Sequence, residues 1–379
     1  MRKRDIDCLR LFGIFLLFPF HTARVFDFRE GFYIHSNITS AAGVVFMNII
    51  SPWFMPLLFL VAGVSSYYAL QKRDMSRFFK ERVQRLLIPF ILGVILIVPI
   101  QGYMARLQQG TLNGGYFNYL FAQFFTDFSD ISGYRGTFTP AHLWFILFLF
   151  IISAVLLPLF CHIIKARKER GIGTFGSLFE KGWFLLLLFI PLTISQAFPN
   201  IGGQEIVFYG AYYSIGFFIA SNSASAEVID KFKWLWFGVM IISIPLYLIT
   251  GAAAQGYGDF AWQSILFAHA RNLYGINAIL FMMGFAHKYL NRGGAVLNYL
   301  NQAAFPVYIL HQSVMMVIAY YVLILNTNIT IQYIIIAFST LAISIAIFEG
   351  ARHIFILRVI LGIKNVKTKQ INIENTNQN

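Results

Sequence analysis

The chain is poor in cysteine, in charge and above all in acidic residues. Cysteine occurs twice in 379 residues, at Cys8 and Cys161. Both lie near the cytoplasmic ends expected for their helices, which predicts reduced thiols and no structural disulfide. Charged residues make up 12% of the chain against 58% hydrophobic ones, more apolar surface than a soluble domain can hide. Asp and Glu number 16 against 29 Lys and Arg, and the formal charge of +13 is mostly a topology signal that gives little ground for nucleic-acid binding. No repeat period, metal-ligand cluster, Walker loop or nucleophile elbow is present. No metal site and no permanently held cofactor is therefore expected.

What the chain has instead is long apolar runs, recurring from end to end and each long enough to cross a hydrocarbon core. Their approximate limits are 8–27, 44–70, 86–103, 141–164, 182–198, 205–222, 234–254, 264–287, 303–325 and 331–357. The expected fold is all-α, a polytopic transmembrane helical bundle of about ten spans over 1–362, followed by a polar tail at 363–379 with the composition of a disordered segment. The run at 264–287 is the least clean, with His269, Arg271 and Asn272 in its first turns. If the N-terminus is cytoplasmic, the inner loops carry Lys72, Arg73, Arg77, Lys80, Arg82 and Arg85, then Lys165, Arg167, Lys168, Arg170 and Lys181. Lys231, Lys233, Lys288 and Arg292 follow on that side, and the outer segments hold only Arg24, Arg29, Arg106, Arg135 and Arg271. By the positive-inside rule both termini are cytoplasmic, in a multi-pass protein of the cell membrane. The first run lacks a small-residue cleavage site and is read as a retained helix.

Within that first run an arginine and a histidine, Arg10 and His21, stand eleven positions apart. At about 1.5 Å of rise per residue the separation is roughly 16 Å, half of a core some 30 Å thick. An ionisable side chain at that depth is costly and points to function, although the position would also suit a histidine merely hydrogen-bonded to a neighbouring helix. Arg82 and Arg85 share a helix face and can grip a polyanion at the inner surface; anchoring to anionic headgroups accounts for them equally. Gly63, Ser65 and Ser66 allow close helix contact, for which packing is a sufficient reading. The outer stretch from Arg106 to Pro140 is rich in aromatics, which argues for order. Its rings can stack on an acceptor such as a sugar or simply pack at the interface.

Taken in order, these residues resemble the acyltransferase 3 family of integral membrane acyltransferases. Four signatures carry the resemblance: Asp7 and Leu9-Arg10 with His21; Phe78-Phe79 to Pro89 with Arg82 and Arg85; His142-Leu143-Trp144-Phe145; and Phe305-Pro306-Val307-Tyr308-Ile309-Leu310-His311. They span most of the chain. Ala62-Gly63 replaces a common Ser-Gly. Thr139-Pro140-Ala141-His142-Leu143-Trp144 is also similar to the subgroup that succinylates or acetylates periplasmic glucans.

The resemblance implies transfer of an acyl group, acetyl by default with succinyl or longer chains left open, from cytoplasmic acyl-CoA to a hydroxyl of a glycan or other small acceptor. It makes the residue matching His21 catalytic and those matching Arg10, Arg82 and Arg85 important for the donor. Geometry agrees: the phosphates of coenzyme A should stay at the inner surface by these arginines while the pantetheine arm threads toward His21. A neutral His21 could then accept the proton of the attacking hydroxyl. Arg24 supports that neutral form, Asp7 orients Arg10 or a neighbouring inner cation, and Trp144, His142 and Tyr308 are candidate acceptor contacts. The lipid bilayer is the remaining partner, a homo-oligomer is left open, and the alternative reading is a polytopic transporter or flippase for a polar or glycan-linked solute.

Overall fold

The computed structural model describes residues 4–27, 29, 31–170, 177–291, 293–325 and 327–363. The tail beyond Ile363, expected to be unstructured, lies outside the described residues, as do Arg2, Lys3, Arg292 and residues 171–176 of the expected inner loop. Among the described residues every regular element is helical; the remaining backbone pairing is an isolated bridge between Ile201 and Gln204.

The bundle is built around α1 (Arg4–Val25), whose Asp5 and Asp7 in the first turn and Arg24 in the last complement the helix dipole. It packs against α2 (Ala41–Ile50) and α3 (Phe54–Leu70). The second apolar run is interrupted for one turn at Pro52, which has no N–H to give. A basic helix α4 (Met75–Arg82) passes through a π-helical turn, Val83–Leu87, into α5 (Ile88–Leu96) and α6 (Pro99–Gln109). The aromatic stretch that follows is ordered, with a short α7 (Tyr116–Tyr119) and with Tyr119 and Phe124 fully buried. A 3₁₀ turn, Ala141–Leu143, opens α8 (Trp144–Val155), which bends by 48° into α9 (Leu157–Arg170). Then come α10 (Gly182–Leu186), α11 (Phe189–Ser195), α12 (Ile206–Ser221), α13 (Ser223–Lys231) and α14 (Lys233–Ala253). The chain closes with α15 (Trp262–Tyr289), α16 (Ala295–Ile324), α17 (Ile329–Ala351) and α18 (Phe355–Ile360).

Six helical stretches are long and apolar enough to cross a membrane, or seven if the bent α8–α9 pair is one span. The remaining runs of the expected ten differ for visible reasons. Those at 182–198 and 205–222 fold as shorter apolar helices, Gly182–Ser195 and Ile206–Ser221. The run at 264–287 becomes the 28-residue α15, long enough but carrying polar residues along its first half.

Two packing features place the functional residues. α1 and α16 lie against each other and run the same way: Arg10 bonds Asn301 near their beginnings, and His21 meets His311 about ten residues further along each. α3 runs antiparallel to α1, with Phe54 against Phe20 and Leu58 against Gly13. Its Ser66 therefore returns to the level of the first turns of α1. The partner of α3 is α12, and here glycine is required: a Cβ on Gly63 would stand 1.9 Å from the Tyr213 carbonyl oxygen, and one on Gly216 would stand 2.0 Å from that of Leu60. The two backbones touch, as small residues allow in membrane helices.

Candidate active site

Three imidazoles meet deep in the bundle, near the far end of α1. The rings of His21 and His311 are 5.3 Å apart between centroids, and those of His142 and His311 are 4.9 Å apart. The helices that bring them together are α1, α16 and the 3₁₀ turn before α8. That turn is locally strained, since Ala141 adopts a positive φ of 45°. Its N–H is held by the Thr139 hydroxyl at 2.9 Å. Strain of this kind persists where the surroundings over-determine the backbone, and it clusters at functional sites.

The hydrogen bonds give the three rings different roles. The Ile309 carbonyl can only accept, so His142 Nε2 donates to it at 3.0 Å; the Gln101 amide nitrogen donates to His142 Nδ1 at 3.2 Å. Gln101 also donates to Ser313 Oγ at 2.9 Å, which in turn donates to the Ile97 carbonyl at 2.9 Å. Both nitrogens of His142 are thus spent tying α6 and the 3₁₀ turn to α16. His311 donates from Nδ1 to the Tyr308 carbonyl at 2.5 Å, leaving Nε2 buried without a partner. His21 Nδ1 is likewise buried without a partner. A buried polar atom with no partner costs about 1–3 kcal/mol. Two of them on touching rings are what a reacting group placed there would satisfy.

The sequence-selected residues fall into three groups. Tyr308 and His142 join the imidazole cluster, linked by a hydrogen bond from the Tyr308 hydroxyl to the His142 carbonyl. Trp144 turns away from it into an aromatic stack, 5.2 Å from Tyr209 and 6.3 Å from Phe59 between centroids. Arg24 is separated from His21 by the Phe32 ring: its guanidinium lies 5.5 Å from the Phe32 centroid, and Phe32 stacks on His21 at 6.2 Å. Arg24 also reaches Asp27 at 3.4 Å and the Gly31 carbonyl at 3.1 Å.

The remaining cations lie toward the other end of α1. Arg10 is held by Asp7 at 2.6 Å and by Asn301. Arg82 donates to Ser66 Oγ at 2.9 Å and covers the Phe78 ring at 4.5 Å. The Tyr213 hydroxyl donates to the same Ser66 oxygen at 2.6 Å. Arg85 sits half-buried within the π-helical turn, an irregularity frequent at functional sites. Arg10 and Arg82 therefore share the end of the bundle opposite the imidazoles, about 16 Å of helix rise from His21. Sequence reasoning passed over Gln101, Asn301 and Ser313, and it gave His311 no role. A lone polar residue inside an apolar run is the signal that would have found Gln101, and Asn301 and His311 are ten positions apart, close to the eleven between Arg10 and His21.

Residues 3–349 match the family described as an acyltransferase domain. The chain belongs to the acyltransferase 3 family. Relatives named glucans biosynthesis protein C, from Salmonella heidelberg strain SL476 and Salmonella schwarzengrund strain CVM19633, are 22% identical over 331 residues, covering 82% of this chain and 81% of theirs. The protein of Salmonella agona strain SL483 stands at the same identity and coverage. No solved structure matches the chain. Family and apolar helices together make this a membrane acyltransferase, which sets the transporter reading aside. Among the described residues no group of His, Cys, Asp and Glu is arranged to hold a metal ion.

Proposed function

We propose that the protein is a multi-pass O-acyltransferase of the cell membrane, moving an acyl group, acetyl by default, from cytoplasmic acyl-CoA to a hydroxyl of a carbohydrate acceptor beyond the membrane. The observation that carries this reading is the unpartnered Nδ1 of His21, buried beside the unpartnered Nε2 of His311 while His142 is fully engaged. His21 and His311 each keep an unpartnered ring nitrogen, and of the two it is His21 that shares one helix with Arg10. The relatives named for glucans biosynthesis support a carbohydrate acceptor.

In this mechanism Arg10, Arg82 and Arg85 hold the phosphates of the donor, and the uncharged pantetheine arm lies between helices toward His21. The acceptor oxygen attacks the thioester carbonyl carbon as His21 Nδ1 takes its proton. Collapse of the tetrahedral intermediate breaks the C–S bond, and the departing thiolate recovers that proton from His21. Transfer is direct, within one ternary complex.

The test is binding of labelled acetyl-CoA to purified protein. Saturable binding is expected, competed by adenosine 3′,5′-bisphosphate and weakened about tenfold or more in Arg82→Gln, with no label retained after denaturation. Unsaturable binding, or binding indifferent to phosphate competitors, would contradict the donor assignment, and label that survives denaturation would contradict direct transfer.

A further inference from the structure

A cleft of about 770 Å³ opens near the far end of α1, between the segment that follows Phe32, α6, and the turn joining α16 to α17. Its polar lining is Ser36, Asn37, Gln108, Tyr320, Thr327 and Gln332, set against apolar walls that include Leu107 and Leu323. Among the described residues no Asp, Glu, Lys or Arg lines it. The imidazole in the lining, His35, accepts at Nε2 from the Phe32 N–H at 2.8 Å, so that nitrogen carries no proton. A second recess on the loop side, of about 480 Å³, is lined by Arg106, Asp127 and Arg135 and has the opposite character.

We infer that the uncharged cleft is the acceptor site and that it takes a neutral, hydroxyl-rich carbohydrate chain. The inference rests on the acyl-transfer reading and adds to it the place and charge class of the second substrate. Three observations carry it. First, Gln332 is 4% exposed and donates from Nε2 to the Leu325 carbonyl at 2.9 Å, while its Oε1 is buried with no partner. A sugar hydroxyl would satisfy that oxygen. Second, the lining mixes amides and hydroxyls with aliphatic walls and one tyrosine, the combination that receives the polar edges and C–H faces of sugar rings. The volume falls within the roughly 300–1,000 Å³ of small-molecule sites. With no cation in the lining, an anionic phospholipid headgroup or acidic glycan has nothing to neutralise it there.

Third, the cleft adjoins the proposed base. The Ser36 N–H donates to the Val25 carbonyl at 2.9 Å, and Val25 lies one helical turn, about 6 Å of rise, beyond His21. His35 is bound to the backbone of Phe32, and the Phe32 ring stacks on His21 at 6.2 Å. Phe32 therefore links the segment that lines the cleft to the imidazole. An acceptor lying in the cleft and passing the edge of Phe32 would bring a hydroxyl to the base from the side opposite the arginines.

The experiment uses purified full-length protein in nanodiscs of zwitterionic lipid, which avoids sugar-based detergents. Saturation-transfer NMR follows binding of a neutral gluco-oligosaccharide and of an oligosaccharide of uronic acids, and labelled acetyl-CoA binding is read on the same samples. Wild type should bind the neutral chain saturably, and Gln332→Leu and Asn37→Trp should each weaken it at least tenfold with acetyl-CoA binding unchanged. If Gln332→Leu loses acetyl-CoA binding as well, and so has lost its fold, Asn37→Trp at the exposed rim decides. Neutral-sugar binding that is absent in wild type or equal in Asn37→Trp overturns the cleft assignment, as does binding of the acidic chain alone that is lost in Arg135→Ala. If wild type fails to bind acetyl-CoA, it is the acyl-transfer reading that falls.

Discussion

His35 couples a titratable ring to the loop that covers His21. Its Nε2 can accept from the Phe32 N–H only while unprotonated. Burial holds its pKa below the ordinary 6.5, opposed in part by the Phe32 backbone, with lesser effects of the Arg24 cation downward and Asp27 upward. A base whose folded pKa is lowered binds fewer protons folded than unfolded once the pH drops below 6.5, so stability rises with pH through that window and is lost on acidification. Lowering the pH from about 7.5 to about 5.5 should therefore reduce the thermal midpoint and speed exchange of the Phe32 amide. His35→Phe should flatten that dependence; an unchanged pH profile in the variant would exclude His35 as its source. At this scale His21 and Arg10 stand out in the sequence, because an ionisable residue within an apolar run is conspicuous. The sequence could not separate His142 from His311, since which ring keeps a free nitrogen depends on Gln101 and Ile309, one distant in the chain and the other a backbone carbonyl.

The contact between α3 and α12 is the element on which the position of Ser66, and so of Arg82, depends. Gly63 and Gly216 let the two backbones meet, and neither can carry a Cβ without displacing a carbonyl. Gly63→Val should destabilise the protein by about 1–3 kcal/mol, the usual cost of overpacking, seen as a lower thermal midpoint with weakened acetyl-CoA binding. A variant as stable as wild type would show that the helices can separate freely. The small residues here were legible as a packing signal. The π-helical turn at Val83–Leu87, the bend between α8 and α9 and the short α10–α12 helices were not, because local composition specifies apolarity and leaves the geometry of a run to its neighbours. Of the expected ten spans, six stretches are long and apolar enough to cross a membrane, or seven with the bent α8–α9 pair.

For the whole molecule, the parallel packing of α1 and α16 sets Arg10 with Asn301 at one end and His21 with His311 at the other. One pair of helices thus joins the arginines proposed to hold the donor phosphates to the proposed base about half a membrane away, with the uncharged cleft beyond it. A donor entering from the arginine end and an acceptor entering from the cleft would meet at His21 without either crossing the bilayer whole. The most direct measurement is mass spectrometry of surface and exported glycans from cells making equal membrane amounts of the wild-type protein or of His21→Ala. The account predicts acyl esters on neutral glycans with wild type and a loss of about 10²–10⁴-fold in the transfer rate with His21→Ala, while the purified variant still binds acetyl-CoA. Acyl esters at the wild-type level in His21→Ala cells would contradict it.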